Sequence, residues 1–201
     1  MCEIVFGMRE KRHISGFVLA GGKSTRMGRD KAWIVVKGRP MIVHAISALE
    51  PICNTVAIVA QGEMYNSLGV PIYQDVVVGA GPLAGICTAL AVSDTEVNVF
   101  TCCDSPFVVP DLLRLLLEQS EGFDAVVPRM KDAVYPLTAV YKRTCLPAFE
   151  ACLMAGQLSV KKTIHSVHVK YVDVLDEDPF LEARVLMNIN TPRELEKIDA
   201  I

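Results

Sequence analysis

An α/β protein of three layers, with a mostly parallel sheet between two layers of helices, is the fold class this 201-residue chain predicts. Short runs rich in valine and isoleucine alternate with longer segments of helical period, the pattern of strands joined by crossover helices. The runs are apolar without interruption, as strands covered on both faces should be. Hydrophobic residues make up 51% of the chain and charged residues 21%, enough apolar surface to offset the entropy of ordering one sizeable core.

Strands are expected at 16–20, 55–60, 71–74, 97–103, 124–128, 137–141 and 168–174, and helices at 40–49, 83–92, 110–119, 144–155 and 192–200. The first strand stops at the pair Gly21-Gly22. The third ends in Gln74-Asp75 ahead of the glycine-rich stretch 79–85, and the fourth delivers Asp104. The last helix has the plainest start: Thr191 can cap it, Pro192 suits the first helical position, and Glu194 completes a reciprocal T-x-x-E capping box. No internal repeat or linker interrupts this order. Residues 13–201 therefore read as one domain, with residues 1–12 as a loose N-terminal extension and Met8 as an alternative first residue.

Net charge is only -3. Lys23, Arg26, Arg29 and Lys31 lie close together, opposed by Asp30 alone. So short a cationic segment suits a small anionic ligand better than a polyanion, which needs a broad basic face, and no nucleic-acid partner is expected. The acidic stretch with Asp173, Asp176, Glu177, Asp178 and Glu182 reads as a solvated loop. The charge-free run 76–93 contains Gly79, Gly81, Pro82 and Gly85, whose backbone disruption hydrocarbon cannot satisfy, so no membrane span is expected. Weakly apolar residues precede Arg9, Glu10, Lys11 and Arg12, the reverse of a secretory signal, which points to the cytoplasm. The seven cysteines include no C-x-x-C pair, which favours free thiols over a zinc site or disulfide framework. The four histidines fall outside every motif and read as structural.

Paired glycines after the first strand let backbone N–H groups approach phosphates, with Lys23, Arg26, Arg29 and Lys31 to neutralise them; an ordinary turn with basic surface residues is the alternative. Two common phosphate loops fail in register. A P-loop ending in Gly22-Lys23-Ser24 needs glycine where Phe17 stands, and 79–85 has one residue too many for G-x-G-x-x-G. Asp104 arrives at the carboxyl end of its strand, the edge where open α/β sheets bind ligands. Magnesium takes only one or two protein carboxylates beside substrate phosphates, so a single Asp104 can suffice; a turn residue in Asp-Ser-Pro is the alternative. Asp75 can accept hydrogen bonds from a ligand or cap a turn, and the amides of Asn188 and Asn190 can meet metal or phosphate or serve a turn.

In chain order, Leu19-Ala20-Gly21-Gly22-Lys23-Ser24-Thr25-Arg26-Met27-Gly28-Arg29-Asp30-Lys31, Asp75, Gly81-Pro82-Leu83-Ala84-Gly85, Cys103-Asp104-Ser105-Pro106 and Asn188-Ile189-Asn190-Thr191-Pro192 resemble the molybdenum cofactor guanylyltransferase family, over residues 14–201. The resemblance implies a Rossmann-like nucleotidyltransferase fold. It implies transfer of GMP from GTP to molybdopterin carrying molybdenum, with Mg2+, releasing pyrophosphate and forming the guanine dinucleotide. By the same resemblance Leu19, Ala20 and Gly21 would contact the nucleotide through the backbone, Asp75 the bound GTP, and Lys31 and Arg26 the phosphates. Asp104 would hold both GTP and magnesium, with Asn190 supporting the metal, and Arg26, Lys31 and Asp104 would form the catalytic set. Related cytidylyl-transferring proteins tend to carry L-A-A-G where this chain has Leu19-Ala20-Gly21-Gly22, so Gly21 favours guanine. Tyr135-Pro136-Leu137-Thr138-Ala139-Val140-Tyr141 is similar to the family's pterin-side segment. Gln157-Leu158-Ser159-Val160-Lys161-Lys162 lacks the arginine that many relatives carry soon after the glycine; its lysines read as exposed surface residues, with Lys161 or Lys162 in the arginine's place near the pterin phosphate as the alternative. Cofactor-delivery proteins are the implied partners.

A phosphate monoester has its second pKa at about 6, so the molybdopterin phosphate would attack as an anion with no general base. Positioning and charge neutralisation would then supply the catalysis, Lys31 and Arg26 at the departing pyrophosphate and Asp104 through magnesium at the α-phosphate. A cytidylyl or sugar 1-phosphate nucleotidyltransferase of the same fold and a nonenzymatic nucleotide-binding module are the other readings.

Overall fold

The computed structural model describes residues 13–21, 30–75, 77, 79–175, 184–191 and 194–195. Arg26, with the rest of segment 22–29, lies outside the described residues, as do residues 1–12 and most of the expected last helix. In chain order the strands are β1 (Ile14–Ala20), β2 (Val35–Val36), β3 (Arg39–Pro40), β4 (Thr55–Ala60), β5 (Ile72–Tyr73), β6 (Val97–Cys102), β7 (Ala125–Met130), β8 (Ala133–Val134), β9 (Ala139–Lys142) and β10 (Val169–Asp173). The α-helices are α1 (Met41–Leu49), α2 (Pro82–Val92), α3 (Pro110–Glu118), α4 (Leu146–Met154) and α5 (Val160–Thr163).

The main sheet has the order β10-β7-β9-β6-β1-β4-β5, with β8 paired to β7. β1 lies parallel between β4 and β6, β5 extends the parallel set from β4, and β10 is parallel to β7. Only β9 on this path runs against its neighbours, β6 and β7. The reason is chain length. β7 folds back at Lys131, with φ 55°, into β8, and residues 135–138 are too few for the helical crossover that a parallel return requires. The expected three-layer, mostly parallel α/β fold is present.

Alternation along the strands divides the core between two faces. Val18, Ile58 and Val99 point toward α1 and α3, where they meet Ile42, Ala45, Leu49, Leu112 and Leu116. Phe17, Val59 and Phe100 point to the opposite face and meet Leu83, Ile86 and Leu90 of α2 and Phe149 of α4. The helices on both faces explain why these strands read as continuous apolar runs. Asn98 is one of two buried polar residues in β6, with Thr101, and its burial is compensated. Its Oδ1 accepts hydrogen bonds from the Ser93 and Thr95 hydroxyls, and its Nδ2 donates to the Tyr141 carbonyl at 3.4 Å.

Two short features were not expected. β2 and β3 form an antiparallel hairpin whose turn places Lys37 and Gly38 at φ 46° and 80°, so Pro40 pairs with Val35 and α1 starts one residue later than the expected 40. α5 lies between the expected helix 144–155 and the expected strand 168–174, where no element is predicted. The hairpin matters to the site, because Ile34, Val36 and Met41 form a satellite core with Ile189 from the far end of the chain. No helix of the described residues is long and apolar enough to cross a membrane.

Candidate active site

The parallel strands β1, β4, β5 and β6 end along one rim, and four sequence-predicted positions meet there. Gly21 follows β1, Asp75 lies just past β5, Asp104 just past β6, and Asn190 is brought to the same rim by the docked C-terminal segment. Leu19 and Ala20 are core residues, 7% and 5% exposed, so any contact they make to a ligand must come from the main chain.

Lys31 is positioned by local capping. Asp30 is the N-cap of the 3-10 turn Lys31–Trp33, its Oδ1 accepting from the Ala32 N–H at 2.9 Å. From that turn the Lys31 ammonium donates to Asn190 Oδ1 at 2.7 Å and lies 3.5 Å from Asp104 Oδ2. Asn190 is held in turn by the residues around it. Ile189 is fully buried in the satellite core, and its N–H donates to the Asp104 carbonyl at 2.8 Å. Its neighbours Asn188 and Asn190 bond on either side, Asn188 Oδ1 to the Ser105 hydroxyl at 2.8 Å and Asn190 Oδ1 to Lys31. The T-x-x-E box closes behind them. Glu194 Oε2 accepts from the Asn190 and Thr191 N–H groups at 2.6 and 2.9 Å, and Thr191 Oγ1 accepts from the Glu194 N–H at 3.3 Å.

Both predicted acids carry a buried oxygen without a hydrogen-bond partner, Oδ1 of Asp75 and Oδ1 of Asp104. Burial pushes the Asp104 carboxyl above its ordinary value, and the Lys31 ammonium pulls it part of the way back. Asp75 is raised by burial with no such counterweight. Its carboxylate lies between two glycines: a Cβ on Gly21 would sit 3.8 Å from Asp75 Oδ2, and one on Gly85 3.3 Å from Oδ1. The absent side chains let the backbone of β1's end and of α2 come close to this carboxylate.

Beside Asp104 a cavity of about 400 Å³ opens between Ser105, Asn188, the segment Tyr135-Pro136-Leu137-Thr138, and Ser159 with Lys161. Through Ser105 and Asn188 the space neighbours the Lys31 ammonium and the Asp104 carboxylate, and its volume is that of a small-molecule site.

Two residues beside Lys31 were not assigned a role from the sequence. Asp30 could have been found, since an aspartate before a short helical turn is a standard cap. Tyr65 could not, because its partners are distant in the chain: its buried hydroxyl donates to Asp30 Oδ2 at 2.7 Å and lies 3.4 Å from the Ala20 carbonyl oxygen. The described cysteines are all free, and burial pushes the Cys53, Cys87 and Cys145 thiols up to about 12, which leaves them protonated and unreactive.

The MobA-like NTP transferase domain matches residues 16–170. This chain belongs to the MobA-like NTP transferase family. Its relatives narrow the family further. It is 37% identical over 186 residues to a protein of Pelotomaculum thermopropionicum named "Probable molybdenum cofactor guanylyltransferase", covering 91% of this chain and 90% of that one. It is 32% identical over 193 residues to the molybdenum cofactor guanylyltransferase of Desulfosudis oleivorans, covering 93% and 95%. Molybdopterin-guanine dinucleotide biosynthesis protein A from Archaeoglobus fulgidus superposes with a TM-score of 0.78 at 26% identity, over 92% of this chain and 97% of that one. A 2-C-methyl-D-erythritol 4-phosphate cytidylyltransferase from Thermus thermophilus, at 17% identity and a TM-score of 0.69, shares the fold, over 92% of this chain and 96% of that one. Within the MobA-like family this chain thus stands with the molybdenum cofactor guanylyltransferases, and the cytidylyl-transferring neighbours are distant from it.

Proposed function

We propose that this chain transfers GMP from GTP to the phosphate of molybdopterin carrying molybdenum, forming molybdopterin guanine dinucleotide. An oxygen of the pterin phosphate forms a new bond to the α-phosphorus, the bond from that phosphorus to the bridging oxygen breaks, and the electron pair leaves with pyrophosphate. The observation that carries this reading is the meeting of Lys31, Asp104 and Asn190 at one rim, directly beside the cavity lined by Ser105, Asn188 and Tyr135.

Each residue then has a task. Lys31 neutralises phosphate charge, joined in this proposal by Arg26. Asp75 accepts hydrogen bonds from the bound nucleotide, and the main chain at Leu19, Ala20 and Gly21 lines its base. The cavity beside Asp104 receives the acceptor. The attacking phosphate is ionised at neutral pH, so no side chain has to act as a base, consistent with motifs that contain no histidine.

Magnesium suits the donor set. Asp104 Oδ1 is a buried carboxylate oxygen without a hydrogen-bond partner, a hard donor of the kind this ion takes beside water and phosphate; the Asn190 amide oxygen, which accepts from Lys31, would support the ion through its second lone pair. When bound, the ion supplies neutralisation of phosphate charge. In this reading residues 13–201 act as one catalytic domain with 1–12 as an extension, in the cytoplasm and with cofactor-delivery proteins as partners.

The deciding experiment supplies the purified chain with magnesium, GTP and molybdenum-bearing molybdopterin and follows the dinucleotide by mass. The expected result is dinucleotide and pyrophosphate in equal amounts, with CTP and UTP far poorer donors. GTP binding without acceptor-dependent pyrophosphate would leave only a nucleotide-binding module, and a preference for CTP would overturn the guanylyl assignment.

A further inference from the structure

Tyr65 is 2% exposed, and a buried tyrosine hydroxyl has to find a partner. It finds two acceptors that belong to different elements. Asp30 Oδ2, at 2.7 Å, belongs to the cap of the turn that carries Lys31, and the Ala20 carbonyl oxygen, at 3.4 Å, belongs to the last residue of β1. One proton cannot serve both equally, and the shorter distance assigns it to Asp30. The ring also stacks on Trp33, the third residue of that turn, with centroids 6.2 Å apart and planes within 11°.

We infer that Tyr65 is a positioning residue for the guanylyl transfer: its hydroxyl locks Asp30, and Asp30 through its cap fixes the turn that aims the Lys31 ammonium at Asn190 and Asp104. The chain of contacts is continuous. Tyr65 holds one oxygen of Asp30, Ala32 N–H holds the other, and Lys31 stands between those two residues with its ammonium 2.7 Å from Asn190. The stack on Trp33 resists tilting of the turn, while the hydroxyl sets its place along the rim. Burial and the neighbouring Asp30 both push the Tyr65 hydroxyl up, so it stays a donor wherever the enzyme works. Tyr65 itself touches neither Asp104 nor Asn190 in these contacts. Its stronger hydrogen bond leads to Asp30, so its effect on Asp104 and Asn190 passes through Lys31, while the weaker contact to the Ala20 carbonyl is a second route that a double-mutant cycle with Lys31→Ala separates from this one.

This inference rests on the proposed GTP reaction, and the test separates the two. Tyr65→Phe keeps the ring, the burial and the Trp33 stack and removes only the hydroxyl. Asp30→Ser keeps a side-chain oxygen to cap Ala32 but is too short to reach Tyr65. Each variant should lower kcat for acceptor-dependent pyrophosphate release by about 10-fold or more, as small displacements of a catalytic group do. The thermal midpoint of Asp30→Ser should stay close to that of the unaltered chain. The decisive readout is a double-mutant cycle with Lys31→Ala: once Lys31 is gone, Tyr65→Phe and Asp30→Ser should each cost less than twofold. Fully additive losses would overturn the inference and leave Tyr65 a purely structural residue. If Tyr65→Phe fails to fold, the Asp30→Ser arm decides alone. Absence of any turnover by the unaltered chain would instead sink the parent reading.

Discussion

The side-chain oxygen of Asn190 accepts a 2.7 Å hydrogen bond from the Lys31 ammonium across 159 positions of sequence. The same ammonium lies 3.5 Å from the Asp104 carboxylate, so three side chains from the two ends and the middle of the chain share one small volume. Lys31→Ala should lower kcat/KM by about 10²- to 10³-fold, the usual consequence of deleting a preorganised charge. Asn190→Ala, which leaves the charge but removes its hydrogen bond to Asn190, should cost about 10- to 100-fold. Steady-state pyrophosphate release measures both, and equal losses for the two would contradict the division of labour.

Asp104 has its carboxyl raised by burial and lowered again by Lys31. Its carbon-13 carboxyl resonance in the ligand-free protein should therefore titrate above the ordinary aspartate value of about 3.9. Lys31→Ala removes the lowering influence, so the midpoint should move higher still. A midpoint that falls on removing the lysine would refute this account of the site's electrostatics.

For Asp75 the linkage has a definite sign. Its carboxyl is harder to ionise folded than unfolded, so the ionised group opposes folding above the folded pKa, and that penalty disappears as pH drops through it. At neutral pH Asp75→Asn should stabilise the ligand-free protein by about 1 kcal/mol, a rise in Tm of about 2–4 °C, while weakening GTP binding. Calorimetric melts and nucleotide titrations of the same two proteins check the trade, and a lower Tm with binding intact would be the opposite result.

Gly85→Ala probes the same carboxylate by size alone. The new methyl would stand 3.3 Å from Asp75 Oδ1 and 3.3 Å from Leu19 Cδ2. Alanine favours the helix by about 1 kcal/mol over glycine, which offsets the crowding, so stability should change little. GTP affinity should fall because the Asp75 carboxylate has to shift. Unchanged affinity would remove Asp75 from the nucleotide contact.

The capping box should prove to be part of the site's support. Thr191→Ala should cost about 1 kcal/mol of stability, lowering Tm by about 2–4 °C. Glu194→Ala removes the acceptor for the Asn190 N–H as well, and it should lower kcat more than Thr191→Ala does for a similar loss of Tm.

Much of the fold was legible because its signals are local. Thr55–Ala60 has the expected bounds of 55–60, since a β-branched apolar run between polar breaks admits one reading. The reversed direction of β9 was legible only from spacing: its own residues look the same in either sense, but the few residues that separate it from β7 leave no room for a helical crossover. The β2–β3 hairpin was not legible. Its turn is Lys37-Gly38, with a lysine at positive φ where asparagine or aspartate would have announced it.

In the site, strand ends, glycine pairs and short motifs marked Gly21, Lys31, Asp75, Asp104 and Asn190 as candidates with turn readings open beside them, and the resemblance of the whole string to one family gave them their expected roles. Composition and periodicity likewise determined the layered class. What only the tertiary structure decided is who meets whom: Lys31 with Asn190, Tyr65 with Asp30, Asp75 between two glycines, and the cavity that joins 135–138 to Ser105. Those contacts close across long stretches of chain once the core has packed, and burial then gives each polar group its partner or leaves its oxygen facing the site. No local pattern encodes that outcome, since it is set by packing and desolvation together.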